Sequence, residues 1–327
     1  LDWNGKTALV TGAGGFIGSH LSERLVELGA RVRAMVHYNA LDSWGWLNTS
    51  PHSKEMQVIP GDITDRGSVR QAMEGAEYVF HLAALIAIPY SYSAPASYVR
   101  VNIEGTLNVL ETARELGVAR VMHTSTSEVY GTALYVPIDE AHPLQGQSPY
   151  SATKIGADKI VEAFHLSFGL PVVTVRPFNT FGPRQSARAV IPAIIAQALT
   201  GQTIRLGNLL PTRDLNYVDN TVNGYLLAAL TPEAVGQTIN LGSGREISIG
   251  DLAQLIGRLA GRAVQIECEA GRMRPERSEV ERLLASNVRA RSLLGWEPAV
   301  TLEVGLERTI EWMRAHLDRY RPGVYVT

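Results

Sequence analysis

An apolar run at residues 6–11 passes directly into Thr11-Gly12-Ala13-Gly14-Gly15-Phe16-Ile17-Gly18, and residues 16–28 then continue with helical periodicity. A strand that turns through glycines straight into a helix leaves few folds open. Gly12 permits the tight turn, Gly15 lets backbone approach a diphosphate, and Gly18 lets the helix lie close to the strand. The first helical turn then offers unpaired N–H groups to phosphate oxygens. The loop reads as a dinucleotide site formed by Gly12, Gly15, Phe16 and Ile17.

The first half of the chain keeps this rhythm. Apolar runs at 31–36, 56–60, 78–83, 120–126 and 172–177 alternate with helical patterns near 67–73, 96–116 and 150–168. The alternation predicts an α/β fold over residues 1–180, a Rossmann doubly wound parallel sheet. Beyond Pro177, Gly and Pro accumulate and the strands shorten, which predicts a smaller α+β C-terminal substrate domain over 181–327. A run at 238–241 is expected to rejoin the first sheet, so the units interleave through a returning segment near 214–245. A chain of 327 residues has room for two such units.

Composition narrows the partners. A formal net charge of −2 gives no general attraction to nucleic acid or anionic membranes, so phosphates must be held by particular loops. The single cysteine, Cys268, lies in an alternating stretch at 263–269 that reads as a strand. One cysteine cannot form an internal disulfide or a cysteine-clustered metal site. No apolar run approaches the length of a membrane span. The expectation is a cytoplasmic protein that binds neither nucleic acid, membrane nor metal.

Further residues carry a family resemblance. The glycines are spaced G-x-x-G-x-x-G, Asp62-Ile63 follows the third strand, and His81-Leu82-Ala83-Ala84 ends the fourth. Asn102 lies in the next helix, and Tyr150 and Lys154 form Y-x-x-x-K. On these residues the whole chain resembles the extended short-chain dehydrogenases/reductases. The resemblance implies that Asp62 and Ile63 meet the adenine, that Leu82, Ala83 and Ala84 line the cofactor, and that Tyr150 and Lys154 reach it. The second strand ends Met35-Val36-His37-Tyr38-Asn39, without the acid that takes ribose hydroxyls in NAD enzymes. Arg33 and His37 therefore favour NADP over NAD, bound tightly and regenerated in each turnover.

A spacing of four places Tyr150 and Lys154 on one helix face. A phenol with a pKa near ~10 is a poor base at neutral pH, and a nearby ammonium favours its phenolate. Thr124-Ser125-Thr126-Ser127-Glu128-Val129-Tyr130-Gly131 ends the fifth strand. The resemblance implies that Thr126 hydrogen-bonds the substrate. Ser127-Glu128 resembles the nucleotide-sugar 4,6-dehydratases of the GDP-mannose type. In that chemistry hydride leaves C4 while Tyr150 takes the hydroxyl proton, and the 4-ketone acidifies the C5 hydrogen. Glu128 removes that proton, the C6 hydroxyl leaves as water with help through Ser127, hydride returns to C6 and a proton returns to C5. The alternative is a nucleotide-sugar 4-epimerase that uses the same Tyr150 and Lys154, with Glu128 as a solvated carboxylate.

The substrate side resembles the same group. Arg176-Pro177-Phe178-Asn179-Thr180-Phe181-Gly182-Pro183-Arg184 is similar to an R-x-x-N-x-Y/F-G-P element, which implies Asn179 and Arg184 as ligands of the nucleotide-diphosphate sugar. Arg213, in Arg213-Asp214-Leu215, and Arg274, in Arg272-Met273-Arg274-Pro275, are further candidate diphosphate ligands. A guanidinium suits phosphate because its planar fork donates two parallel bonds. His37-Tyr38-Asn39, Ser43-Trp44-Gly45-Trp46-Leu47 and Pro322-Gly323-Val324-Tyr325 resemble dehydratases of legionaminic-acid pathways. Those act on UDP- or GDP-linked N-acetylglucosamine. An Arg expected near Leu41 in that subfamily is missing. Leu107, Ile155, Val161 and Phe164 are apolar residues on the helices at 96–116 and 150–168, and the resemblance implies that two such helices per subunit pair into a homodimer.

Overall fold

The computed structural model describes residues 1–272 and 275–320. Thr7–Thr11 (β1), Arg31–His37 (β2), Gln57–Gly61 (β3), Tyr78–His81 (β4), Arg120–Thr124 (β5) and Val172–Pro177 (β6) are the first six strands. Asn179–Phe181 (β7), Thr203–Leu206 (β8) and Thr212–Tyr217 (β9) then leave that sheet, and Thr238–Leu241 (β10) returns to it. The result is a 7-stranded sheet in the order β10-β6-β5-β4-β1-β2-β3, parallel throughout. The expected doubly wound Rossmann sheet is present. Glu246–Ser248 (β11) joins β9 and β7 in a second sheet, and Gln265–Cys268 (β12) pairs with β8. Cys268 is exposed.

Helices cover both faces because alternate strand residues are apolar on both sides. Phe16–Glu27 (α1) packs Leu21 and Leu25 with Ala8 and Val10 on one face. On the other face Leu9 and Val79 meet Val69 of Arg66–Met73 (α2). The first face's core continues without a break into the C-terminal half.

Two short helices follow β4, Ile88–Ser93 (α3) and Pro95–Tyr98 (α4). The helix expected at 96–116 is not uniform. Val99–Glu104 is a π-turn, and only Gly105–Leu116 (α5) is regular α-helix. The wide turn holds Asn102, whose side chain accepts from Leu85 N–H and donates to Leu85 C=O, each at 2.9 Å. Pro149–Phe168 (α6) starts at a capping box between Ser148 and Ser151 and stops at Gly169, which takes the left-handed conformation at φ +66°. Its Val161 is buried in the core, so that side chain is no candidate for a subunit contact, whereas Leu107, Ile155 and Phe164 are half-buried.

The remaining helices are Val190–Thr200 (α7), Val218–Leu230 (α8), Ile249–Leu259 (α9), Val288–Leu294 (α10) and Leu302–Ala315 (α11). Among the described residues no helix is long and apolar enough to cross a membrane. None of them forms a group of three or more His, Cys, Asp or Glu side chains that could hold a metal.

Candidate active site

The glycine loop is built for close approach. Gly12 has φ +70°, and a Cβ there would sit 2.9 Å from the Ala83 nitrogen. A Cβ on Gly18 would lie 2.2 Å from the Gly12 carbonyl oxygen. Gly15 caps α1 without a side chain, so the first-turn amides of Phe16 and Ile17 face outward for an anion. These residues fit a dinucleotide diphosphate.

Thr11 ties the neighbouring strand end to that loop. Its Oγ1 accepts from the Leu82 and Ala83 N–H groups, both at 3.1 Å, which ends β4 two residues earlier than the apolar run implied. His81 bridges Thr11 Oγ1 at 2.9 Å and Thr106 Oγ1 at 3.1 Å. Burial, with the charges of His123 and Lys154, holds this imidazole well below its ordinary range. His81 is therefore a neutral strut that, through Thr11, sets the backbone of Leu82 and Ala83 beside the glycine loop; Ala84 is next in the chain.

Asp62 accepts from Thr64 N–H at 2.8 Å and Thr64 Oγ1 at 2.9 Å, and Ile63 is buried with its carbonyl held by Asn108. His37 is exposed at the end of β2. Arg33 does not reach that end. Its guanidinium donates to Ala72 O (2.7 Å), Gln71 O (2.9 Å) and Gln57 Oε1 (2.6 Å), and Gln57 begins β3 at the opposite end from His37.

Thr126 caps the short 3₁₀ turn Ser127–Tyr130, and its hydroxyl accepts from Glu128 N–H at 3.2 Å. The same side chain hydrogen-bonds Tyr150. Ser127 is buried, and Glu128 is half-buried on the turn. Burial pushes the Tyr150 phenol well above its ordinary range; the Thr126 hydrogen bond opposes this, and the Glu128 charge adds to it. Lys154 is also buried, and desolvation draws its ammonium down to about 8, against the pull of Asp158. Its Nζ donates to the Thr124 carbonyl at 2.6 Å. Thr126, Ser127, Glu128, Tyr150 and Lys154 thus belong to one neighbourhood.

Beneath it lies a polar shell that the motifs did not reveal. Asp158 is one helical turn beyond Lys154 and accepts from Ser125 Oγ (2.8 Å), His123 Nε2 (3.1 Å), and Arg176 Nε (3.2 Å) and Nη2 (2.9 Å). Arg176 Nη1 donates to the Tyr130 phenol oxygen (Oη) at 3.0 Å, and the Tyr130 hydroxyl donates to Asn240 Oδ1 at 2.7 Å. Burial alone would raise the Asp158 carboxyl, but the His123 hydrogen bond and the Arg176 charge outweigh it and keep the group ionised. Two sequence signals could have found it: Y-x-x-x-K continues as K-x-x-x-D on the same face, and His123 and Ser125 interrupt an apolar strand.

On the substrate side, Asn179 opens β7, and its Oδ1 is buried without a hydrogen-bond partner. Arg184, expected on the diphosphate, has its fork occupied. Nη1 and Nη2 bond the two Glu23 oxygens at 2.9 and 3.0 Å, which fastens the loop after β7 to α1. Arg184 holds φ +70° to do so. Arg213 donates to Glu279 Oε1 at 3.2 Å. Arg274 and Pro322-Gly323-Val324-Tyr325 lie outside the described residues.

Comparison with known proteins gives the family. The model of the GDP-mannose 4,6 dehydratase family matches residues 9–309. The UDP-glucose 4-epimerase of Mycolicibacterium smegmatis is 34% identical over 94% of this chain and 98% of its own length. A dTDP-glucose 4,6-dehydratase of Streptomyces griseus is 33% identical over 97% and 96%. The structure of DesIV, the dTDP-glucose 4,6-dehydratase of Streptomyces venezuelae solved with NAD bound, superimposes with a TM-score of 0.87 at 27% identity, covering 96% of this chain and 98% of that one. With the glycine loop, the Tyr150–Thr126 contact and a match over nearly its whole length, the chain belongs to the GDP-mannose 4,6 dehydratase family, among the nucleotide-sugar dehydratases and epimerases of the extended short-chain dehydrogenases/reductases.

Proposed function

We propose that the protein is a nucleotide-sugar 4,6-dehydratase acting on UDP- or GDP-linked N-acetylglucosamine. The observation that carries this reading is Glu128, a half-buried carboxylate two residues beyond Thr126, close enough for its charge to act on the Tyr150 phenol. A 4-epimerase needs the phenol and the hydroxyl; it has no use for a second base at that point.

When bound, the dinucleotide supplies the acceptor and later the donor of hydride. The chain's own residues move the protons. Tyr150 takes the C4 hydroxyl proton while Thr126 fixes the oxygen. The Tyr150 phenol is held high by burial, so it needs positive charge beside it to act as a base; the oxidised nicotinamide would supply that charge, together with Lys154 one helical turn further along α6. Glu128 takes the C5 proton and gives it, through Ser127, to the departing C6 hydroxyl; once C6 is reduced a proton returns to C5, in net balance the one that Tyr150 took from the C4 hydroxyl. Asn179, with a buried unpaired oxygen, receives a donor from the substrate.

Mass spectrometry after incubation with UDP- and GDP-linked glucose and N-acetylglucosamine tests the reaction. Loss of one water from an N-acetylglucosamine substrate is expected. An unchanged mass with an altered sugar supports 4-epimerisation, which the 34% identical epimerase relative keeps as the second reading.

We assign NAD as the cofactor. Arg33 favoured a 2′-phosphate in the sequence, but its bonds to Ala72, Gln71 and Gln57 remove it from the ribose end. DesIV is a relative solved with NAD. NAD is expected to bind at least tenfold more tightly than NADP in a calorimetric titration. The reverse order would return the 2′-phosphate to His37.

A further inference from the structure

The Ser43-Trp44-Gly45-Trp46-Leu47 stretch takes no part in the chemistry above, yet its placement is specific. It belongs to the loop between β2 and β3, which Asn39 shapes: Asn39 Oδ1 accepts from Leu41 and Ser43 N–H at 3.1 Å each, and its Nδ2 donates to Ser43 O at 2.8 Å. The loop folds back onto the glycine loop, backbone against backbone. Trp46 N–H donates to Gly14 O at 3.0 Å. A Cβ on Gly14 would lie 2.4 Å from Trp44 O, and one on Gly45 would lie 2.4 Å from Gly14 O. Gly45 holds φ +63° to allow this. The loop therefore runs from the strand end where the adenosine ribose belongs to the turn where the diphosphate belongs.

What presses on the loop from outside is the C-terminal helix. The Trp312 ring of α11 meets the Trp46 ring edge-on, with centroids 5.5 Å apart at 72°. The Arg319 guanidinium lies 4.9 Å from the Trp46 ring centroid. Trp312 is itself fixed by His316, stacked at 4.1 Å and 10°, and by Tyr320 at 6.3 Å. Tyr320 OH then donates to Gln185 O at 2.9 Å, beside the Arg184–Glu23 pair on α1. Pro183 O, next in that loop, is 3.0 Å from His20 Nε2 of α1. One aromatic cluster thus reaches the cofactor helix and its covering loop from both sides.

We propose that Trp312 and Trp46 form a latch that holds the 39–48 loop down on the glycine loop and so retains the dinucleotide from one turnover to the next. The inference rests on dinucleotide binding at the glycine loop and is independent of which sugar reaction follows. In a cycle that leaves the dinucleotide as it found it, exchange with solvent serves no step. Release requires the loop to lift from Gly14, and lifting it separates Trp46 from both Trp312 and Arg319.

The test is the release rate of bound NAD from the full chain, measured by stopped-flow displacement with a fluorescent NAD analogue. Trp312→Ala is expected to release NAD at least tenfold faster than the parent protein, with the KM for nucleotide sugar unchanged, and Trp312→Phe is expected to stay within threefold. A purely structural role would instead lower the melting temperature of the ligand-free protein and leave release unaltered. If Trp312→Ala does not fold, Trp46→Ala gives the same measurement from the loop side, because Trp46 is half-buried outside the apolar core. Release within twofold of the parent in the folded variant overturns the latch. Failure of the parent protein to bind NAD or NADP at all would instead remove the dinucleotide site itself.

Discussion

Glu128→Gln is expected to oxidise the substrate at C4 and then stall. The amide has nearly the carboxylate's shape, and the Thr126 contact uses the backbone N–H of residue 128, so the turn should survive the change. An amide cannot take the C5 proton, and general-base catalysis contributes about 10²–10⁴-fold to such steps. Reduced cofactor should therefore accumulate while the dehydrated sugar forms that much more slowly. A second signature separates this from simple damage. The Glu128 charge raises the Tyr150 phenol, so its removal should shift the oxidation step towards lower pH. Absorbance of the reduced nicotinamide follows the first step, and product mass follows the second. Dehydration at a near-parental rate would take Glu128 out of the mechanism and leave the epimerase reading.

Asp158→Asn carries the largest expected effect on stability. Asp158 is the buried counter-charge of Arg176, and it also binds His123 and Ser125. Breaking a buried ion pair by removing one partner costs about 3–5 kcal/mol, because the remaining charge stays desolvated. Against a typical folding stability of about 5–15 kcal/mol, that is enough to show plainly in urea unfolding. A cost below about 1 kcal/mol would mean that Arg176 can find another acceptor. The change should also be felt at Lys154, since the Asp158 charge opposes the desolvation of that ammonium.

These two residues mark what is legible in the sequence and what is not. Glu128 is legible because its partners are local: Thr126 is two residues away, and a strand end names the position. The strands at 172–177 and 238–241 are legible to the residue, because compact apolar runs bounded by turn formers signal buried parallel strands. Asp158 is hidden because it sits on a helix and its partners lie 18 to 35 residues away, on or just past β5 and β6. Arg184 is harder still. Its partner Glu23 is 161 residues distant, and an Arg in a phosphate-binding motif looks the same whether it faces a ligand or a helix. The π-turn at Val99–Glu104 escapes for another reason: one extra residue per turn barely disturbs a 3.6-residue pattern over so short a span.

The returning strand β10 also has a consequence for how the molecule is made. It is paired with β6 but lies more than sixty residues later, at Thr238–Leu241 against Val172–Pro177. During synthesis at about 5–20 residues per second, the outer edge of β6 therefore waits several seconds for its neighbour. An open, apolar, parallel edge is a template for pairing with other chains. The vulnerable moment in this protein's life is thus the interval on the ribosome between those two strands, when the cofactor loop is already formed and the sheet still lacks its last member.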